Sequence, residues 1–319
     1  MKEQGNGKST VQALISKYFI FIIFLAVVIV LTILKPSFIK PSNLVNILKQ
    51  VSINGILSFG MMFVIVAGGF DMSVGSTIAL SGVIAAMLGR GQVPLIVPLL
   101  AAMVVGLLVG VVNGIGVSVG DIPPFIMTLG TMTGVRGLAL LASHGKPITG
   151  IAAEYKAIAA SSVLGIPTLA ICLIIVAIIC SFVLEKTVYG RRVYACGGNV
   201  LAARAAGINT NGMKISTFAI AGLLAGLCGF LMTSRVTIGQ PTAAESYEMD
   251  AIAACVIGGV SMSGGVGKPL GVVIGALLIT VIANGLDILG VSPHWQKVVK
   301  GLIIVVAVLI DVKGKSKKD

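Results

Sequence analysis

The sequence predicts an all-α integral membrane protein of about ten transmembrane helices, eight at the fewest, with two of them short or broken. Three observations predict it. Hydrophobic residues make up 56% of the 319 residues and charged residues only 11%, at a mean hydropathy of +1.06. A soluble domain carries about 25% charged residues, so this chain lacks the polar side chains to cover a wet surface. The apolar residues run in long unbroken stretches, not in the alternating segments of about ten residues that a β-barrel needs. Glycine is abundant, at 41 residues, and in a bilayer small residues let helix backbones approach closely.

Taken in order, residues 1–17 are polar and basic, with Lys2, Lys8 and Lys17, and read as a cytoplasmic N-terminal segment. "YFIFIIFLAVVIVLTIL" (18–34) is long enough to span. The "LKPSFIKPSN" that follows marks a retained first helix, since a signal peptide has a shorter apolar core and a small-residue cleavage site. Further candidate spans lie near 43–67, 71–88, 94–118, 124–142, 168–186, 215–234, 249–265, 268–290 and 295–312. Two of them, 71–88 and 249–265, are short for a bilayer that takes about 20 residues per helix, and are expected to be broken or re-entrant. The chain thus divides into the segment 1–17, one transmembrane domain over 18–312, and a basic tail over 313–319.

Lysine and arginine set the orientation, because they collect in cytoplasmic loops. The stretch 185–214 carries Lys186, Arg191, Arg192, Arg204 and Lys214 against Glu185 alone, and the tail "KGKSKKD" sets four lysines against Asp319. Both belong in the cytoplasm, as does the amino terminus. By contrast 235–250 has Arg235 against Glu245, Glu248 and Asp250, which suits the outside. Ten crossings satisfy every one of these constraints, with six before the basic loop and four after it. Eight crossings, with the two short segments re-entrant, also close. The net charge of +12 then needs no nucleic acid.

A faint internal repeat relates "VAGGFDMSVG" (66–75) to "VIGGVSMSGG" (256–265), and "NGIGVSVGDIPPF" (113–125) to "NGLDILGVSPHW" (284–295). Such repeats are common in transporters, with the substrate path between the halves. The glycines of both copies, Gly68 and Gly69, Gly258 and Gly259, are expected to break helices. Asp71 is expected to cap the segment that resumes, beside Ser73, with Ser261 and Ser263 at the matching positions. A carboxylate at a helix start accepts backbone N–H bonds; intramembrane acids also face an interior path rather than lipid, so these eight residues are pathway and helix-break candidates. Gly106, Gly110 and Gly114, Gly222 and Gly226, and Gly271 and Gly275 recur at a spacing that aligns small residues for close helix contact.

Catalytic chemistry finds no support. The two histidines, His144 and His294, form no H-E-x-x-H, and neither "GNGKST" nor "SGGVGKP" completes the phosphate-binding G-x-x-x-x-G-K-[ST]. No catalytic or metal-ligating residue is therefore assigned. The five cysteines stand singly without C-x-x-C and read as small apolar fillers. The polar stretch "QPTAAESYEMD" (240–250) is either an ordinary exterior loop or a docking surface, through Gln240, Glu245, Glu248 and Asp250. "YGRRVYACGGNVLAARAAGINTNG" (189–212) predicts a short Ala-rich helix at about 199–206, ended by Gly207. It is a solvated basic loop or an element that transmits a partner's movement.

From about residue 40 to the end, the chain resembles the permease subunits of sugar importers of the ATP-binding-cassette class, most closely the ribose type. The resemblance rests on "GGFDMSVGS", "PPFIMTLGTMTGVRGLAL", "YGRRVYACGGNVLAARAAGI", "GQPTAAESYEMDAIAACVIGGVSMSGG" and "NGLDILGVSPHWQKVVKGLIIVVAVLID". It implies a multi-pass protein of the bacterial inner membrane with both termini cytoplasmic. It implies a second permease chain, identical or paralogous, a cytoplasmic ATPase that binds ATP and Mg while this chain binds no cofactor, and a periplasmic or lipid-anchored sugar-binding protein. It makes 187–214 the coupling loop and 199–208 the coupling helix that docks on the ATPase, through Asn199, Val200, Ala202, Arg204, Gly207 and Ile208. The family often has Glu where Val200 stands here. The expected cargo is a monosaccharide such as ribose; autoinducer-2, nucleosides and branched-chain amino acids are the alternatives within the superfamily. An ion-coupled transporter would use Asp71 and Asp287 instead.

Overall fold

The computed structural model describes residues 6–91 and 93–315, so the expected segment 1–17 and the tail 313–319 lie partly outside the described residues. The chain folds into helices α1 (Asn6–Leu34), α2 (Pro41–Val66), α3 (Val74–Leu88), α4 (Ile96–Ser118), α5 (Pro124–Ala142), α6 (Ala153–Ala160) and α7 (Thr168–Lys186), then α8 (Val188–Gly198), α9 (Val200–Ala205), α10 (Thr210–Val236), α11 (Tyr247–Ile257), α12 (Pro269–Ile288) and α13 (Pro293–Lys315). A 3-10 turn, Pro36–Ile39, precedes α2, and a small hairpin, β1 (Ser162–Val163) with β2 (Ile166–Pro167), precedes α7. Prolines stand at the first position of α2, α5 and α12, where the missing N–H is no loss and the fixed φ suits a helix.

All ten expected spans contain a helix. Six helices, α2, α4, α5, α7, α10 and α12, are long and apolar enough to cross a membrane, and Ile20–Leu34 and α3 are shorter apolar helices. Three expectations change. The first helix begins at Asn6, well before residue 18. The span 249–265 contains only the 11-residue α11, which ends at Ile257 and gives way to a loop; at 1.5 Å per residue such a helix covers about 16 Å, half a bilayer. The basic loop holds two helices, α8 and α9, instead of one.

α10 is the centre of the bundle, with α4, α3 and α2 packed round it. Its closeness to α4 follows from sequence. A Cβ on Gly106 would strike the backbone of Gly222 and Gly226, and one on Gly110 the backbone of Phe218, so the two helices touch main chain to main chain. The far side of α4 shows Leu100, Val104, Leu108 and Val112, each at least half exposed, a stripe suited to lipid. The two ends of the bundle differ. At one end lie α8, α9 and the start of α10; at the other, α6 is tied to the last turns of α10. There Tyr155 Oη donates to Phe230 O (2.9 Å), the two rings stack 4.6 Å apart, and Ser234 Oγ donates to Tyr155 O (2.6 Å).

Candidate functional site

Two helix breaks and the elbow between α8 and α9 meet at one place. The first break follows α2. Gly68 takes φ +86°, its N–H donates to Ile65 O and the Gly69 N–H donates to Val64 O, both at 2.9 Å. That pair of bonds satisfies the last carbonyls of a helix, and it needs a left-handed residue that glycine supplies without strain. The chain then resumes as α3. Asp71 Oδ1 accepts from Ser73 N (2.8 Å) and Ser73 Oγ (2.6 Å), an Asx-type turn just ahead of α3; the N-cap position itself is Ser73, with no side-chain cap, so Asp71 shapes the turn before the helix instead of capping it as expected. Asn113, on α4, donates from Nδ2 to Ser73 Oγ at 2.8 Å and more weakly to both Asp71 oxygens.

Asp71 and Ser73 are 1% and 0% exposed. They are walled into the chain, so they line no open path within it; their direct effect is to tie α2, α3 and α4 together. Asn113 was not singled out from the sequence, although it opens the "NG" that repeats at Asn284. Asn284 has a different role: it exchanges two amide hydrogen bonds with Asn43 (2.9 and 3.0 Å) and pins α12 to the start of α2.

The second break stops α11 by the same device, with Gly259 at φ +82° and the N–H groups of Gly259 and Val260 donating to Val256 O and Cys255 O. The match to the first break is offset by one residue from the sequence repeat, because Gly68 corresponds to Gly259 and not to Gly258. Gly258 instead packs α11 on α12, where an added Cβ would come 2.6 Å from the backbone of Gly271, and Gly259 faces open space. Ser261 is buried, Ser263 is exposed, and their hydroxyls lie 3.1 Å apart.

The loop after Ser263 makes the junction. Gly264 and Gly265 both have positive φ, +83° and +71°, and the Gly265 N–H donates to Val66 O (2.9 Å), the last carbonyl of α2. A Cβ on Gly264 would lie 3.1 Å from the Cα atoms of both Gly197 and Gly68. Gly197, one residue from the end of α8, is wedged in the same place: its added Cβ would collide with Val66 O and lie 2.7 Å from Gly265 N. The end of α8 therefore rests, backbone on backbone, on both breaks at once. Gly198, the next residue, faces open space.

From there the chain turns into α9. Asn199 Oδ1 accepts from Ala202 N (2.9 Å) and caps the helix, which Gly207 ends at φ +76° with Ile208 N–H on Ala203 O. Arg204 turns back toward α10, donating from Nε to Thr210 Oγ1 (2.9 Å) and from Nη2 to Asn211 Oδ1 (3.3 Å). Val200 and Ile208 are half-buried, whereas Ala202 is exposed. Leu201 projects from α9 at 76% exposure, an apolar knob that the sequence does not flag because one Leu in an Ala-rich run carries no periodic signal. Arg191 and Arg192 are exposed beside it on α8.

At the other end of the bundle the four residues expected to face a partner are divided. Glu245 is exposed and Gln240 half-buried. Glu248 and Asp250, at 7% and 4% exposure, turn inward. Asp250 pairs with Lys300 of α13 (2.7 Å), and the Glu248 carboxylate lies against Gly75, in space that a Cβ there would need. Those two acids serve packing of this chain. Arg136, in α5, donates from Nη1 to the carbonyls of Pro241 and Ala243 (2.8 Å each) and holds the intervening loop down. Among the described residues, no cluster of three His, Cys, Asp or Glu side chains could hold a metal ion.

Comparison with known proteins places the chain among transport permeases. The chain is 48% identical over 289 residues to the ribose import permease protein of Bacillus subtilis, covering 90% of this chain and 89% of that one. It is 40% identical over 296 residues to the ribose import permease protein of Escherichia coli K12 (92% of each chain), and 38% identical over 304 residues to the L-arabinose transport system permease protein of the same organism (95% and 92%). No solved structure matches. Residues 43–308 match the model of a family described as the permease component of branched-chain amino acid transport systems. The chain is a multi-pass membrane protein and belongs to that permease family.

Proposed function

We propose that this chain is the membrane-spanning permease subunit of an ATP-binding-cassette importer that carries a monosaccharide, ribose or a related pentose, into the cell. Similarity to ribose import permeases along nine-tenths of both chains carries the choice of cargo. The junction at Gly197 carries the mechanism. α9 is the coupling helix, Leu201, Ala202 and Asn199 belong to the surface that meets a separate cytoplasmic ATPase, and ATP with Mg is bound and hydrolysed there. When the ATPase subunits close, they displace α9, and α8 passes the displacement to both helix breaks. Backbone contacts without side chains between them can slide with little resistance from interlocking rotamers. ATP then biases the protein between inward-open and outward-open states.

The orientation follows from the same reading. The α8–α9 end is cytoplasmic, as are both termini, in the bacterial inner membrane. The six long helices cross, joined by α1, α3, α13 and α11 with its loop, which makes ten. A second permease chain completes the path, and a periplasmic or lipid-anchored binding protein delivers sugar to the outer end, where Glu245 and Gln240 lie. The face of α5 that bears Gly130, Thr133, Gly134 and Gly137 borders the path. Thr133 and Gly134 are exposed, and nothing lies within 4 Å of a Cβ built on any of these three glycines, unlike the filled glycine contacts of α4 and α10.

Uptake of labelled ribose tests the reading, in cells expressing this chain with its ATPase and binding protein. Removing the phosphate-binding lysine of the ATPase should abolish uptake. Uptake that survives would contradict ATP-driven import. An assembled complex that hydrolyses ATP but carries arabinose and not ribose would contradict the cargo.

A further inference from the structure

Residues 237–246 join the end of α10 to the start of α11, at the end of the bundle away from α8 and α9. Among the described residues six non-glycine residues have positive φ. Three of them, Thr237 (+61°), Ala244 (+57°) and Ser246 (+68°), fall in this one segment. Side chains rarely adopt that region, so the segment keeps its shape because its surroundings impose it. Two contacts do so. Gly239 exchanges backbone bonds with Ile148 (2.8 and 2.9 Å), and Arg136 reaches over from α5 to the carbonyls of Pro241 and Ala243. The middle of the segment rests through Ala243 on a small cluster that includes Leu80 of α3 and Val135 and Ala139 of α5. Alanine buries little area, so little apolar packing opposes its lifting.

Arg136 also has stronger acceptors nearby than those carbonyls. The charges of Glu245 and Glu248 both act on it, and a guanidinium pairs with a carboxylate by two parallel bonds more strongly than with neutral oxygens. Neither acid forms that pair here, since the single salt bridge among the described residues is Lys300–Asp250. Glu248 is buried against Gly75, whereas Glu245 is exposed and lies on the segment that Arg136 holds. Arg136 stands between Gly134 and Gly137, on the helix whose open face borders the proposed path. From Tyr247 the 11-residue α11 runs to the second break, so a displacement arriving there can pull on this segment.

We propose that residues 237–246 form a strap over the outer end of the path, and that Arg136 is its latch. With Arg136 on the Pro241 and Ala243 carbonyls the strap is down. With Arg136 turned to Glu245 those carbonyls are freed, the middle of the strap lifts, and the left-handed residues relax. Arg136 is thus a positioning residue, which acts on the strap and not on the sugar. The inference rests on the importer reading for what lies beneath the strap.

The test follows amide hydrogen exchange over 237–246 by mass spectrometry, in the full chain assembled with its ATPase in nanodiscs. It compares the resting complex with one trapped by ATP and vanadate. Trapping should speed exchange of the wild-type strap about ten-fold, an ordinary size for coupling between sites. Arg136→Gln should exchange as fast already at rest, and Glu245→Gln should stay slow after trapping. Ribose uptake should fall about five-fold in both, again within the usual range of coupling, while melting temperature and ATP hydrolysis hold. Arg90→Gln, which loses a bond to the Thr149 carbonyl at the same end, should behave as the wild type does. An Arg136 that only supports the fold would leave Glu245→Gln indistinguishable from the wild type, and that result overturns the latch. Wild-type exchange unchanged by trapping overturns the strap. If Arg136→Gln fails to assemble, Glu245→Gln decides alone, because Glu245 holds no ion pair at rest. A wild-type complex that hydrolyses ATP without importing ribose counts against the cargo, and exchange still decides the latch.

Discussion

At the end of α2, Gly68 closes its helix with the same two backbone bonds that Gly259 makes at the end of α11, yet the two breaks are then held by different means. The first is fastened by side chains: Asp71, Ser73 and Asn113 form a buried polar cluster that joins three helices. The second runs on through Gly264 and Gly265 and meets α2 and α8 backbone to backbone, with a side-chain bond to α8 from Tyr194 Oη to Gly267 O (2.8 Å). A hydrogen-bonded cluster in a dry interior resists displacement, because any bond it loses leaves a buried group unsatisfied. Glycine backbones in contact have no side chains of their own to unpair, so the second contact gives up one tyrosine hydroxyl bond where the first would give up a whole cluster. The difference predicts that the first break yields less than the second when α8 is displaced against both.

The comparison breaks most severely if α11 loses its anchor at the far end. Lys300→Met leaves Asp250 buried and unpaired, and should destabilise the protein by about 3 kcal/mol, read as a fall in melting temperature in detergent. Adding Asp250→Leu should recover most of that loss, since two apolar side chains replace the pair. No recovery would mean that the pair matters for more than its charge balance.

Next in size is the fastening of the first break. Asp71→Ala strands the Ser73 N–H and hydroxyl and should cost about 2 kcal/mol. Asp71→Asn should cost well under half as much, because Asn113 has an unpartnered, buried Oδ1 that a turn of its amide would offer to the new NH₂ group. Ribose uptake should follow the same order. Equal loss in both variants with normal assembly would point to a charge-specific role for Asp71.

The smallest effect belongs to the second break. Gly259→Ala forces a side chain onto a backbone at φ +82° but meets nothing within 4 Å, a strain of about 1 kcal/mol. If the second break is the mobile one, this variant should lower uptake by more than its small change in melting temperature implies. A loss of uptake no greater than the stability change accounts for would remove the distinction between the two breaks.

Much of this was legible in the sequence. The helices follow from apolar runs, the breaks from paired glycines in apolar surroundings, and the ends of α9 from Asn199 and Gly207. The junction was not legible, because it joins residues 68, 197 and 264 through main-chain contact, and glycine in a membrane protein reads first as general packing. The alignment of "GGFDMSVG" with "GGVSMSGG" even points one residue astray, since the helix-stop position is set by backbone bonds and not by the shared letters. The sequence places Glu248 and Asp250 on the surface, because nothing local in a polar outer stretch shows that Lys300, fifty residues on, takes Asp250 inside.

The measurement closest to the central claim compares Gly197→Ala with Gly198→Ala in the assembled importer. Both replace glycine by alanine at the same end of α8, but only the first meets backbone on both breaks. The account predicts that Gly198→Ala imports ribose like the wild type. Gly197→Ala should lose about ten-fold in uptake, a coupling change of ordinary size, while it still co-purifies with its ATPase and hydrolyses ATP. Equal uptake by the two variants, with both complexes intact, would contradict transmission through this contact.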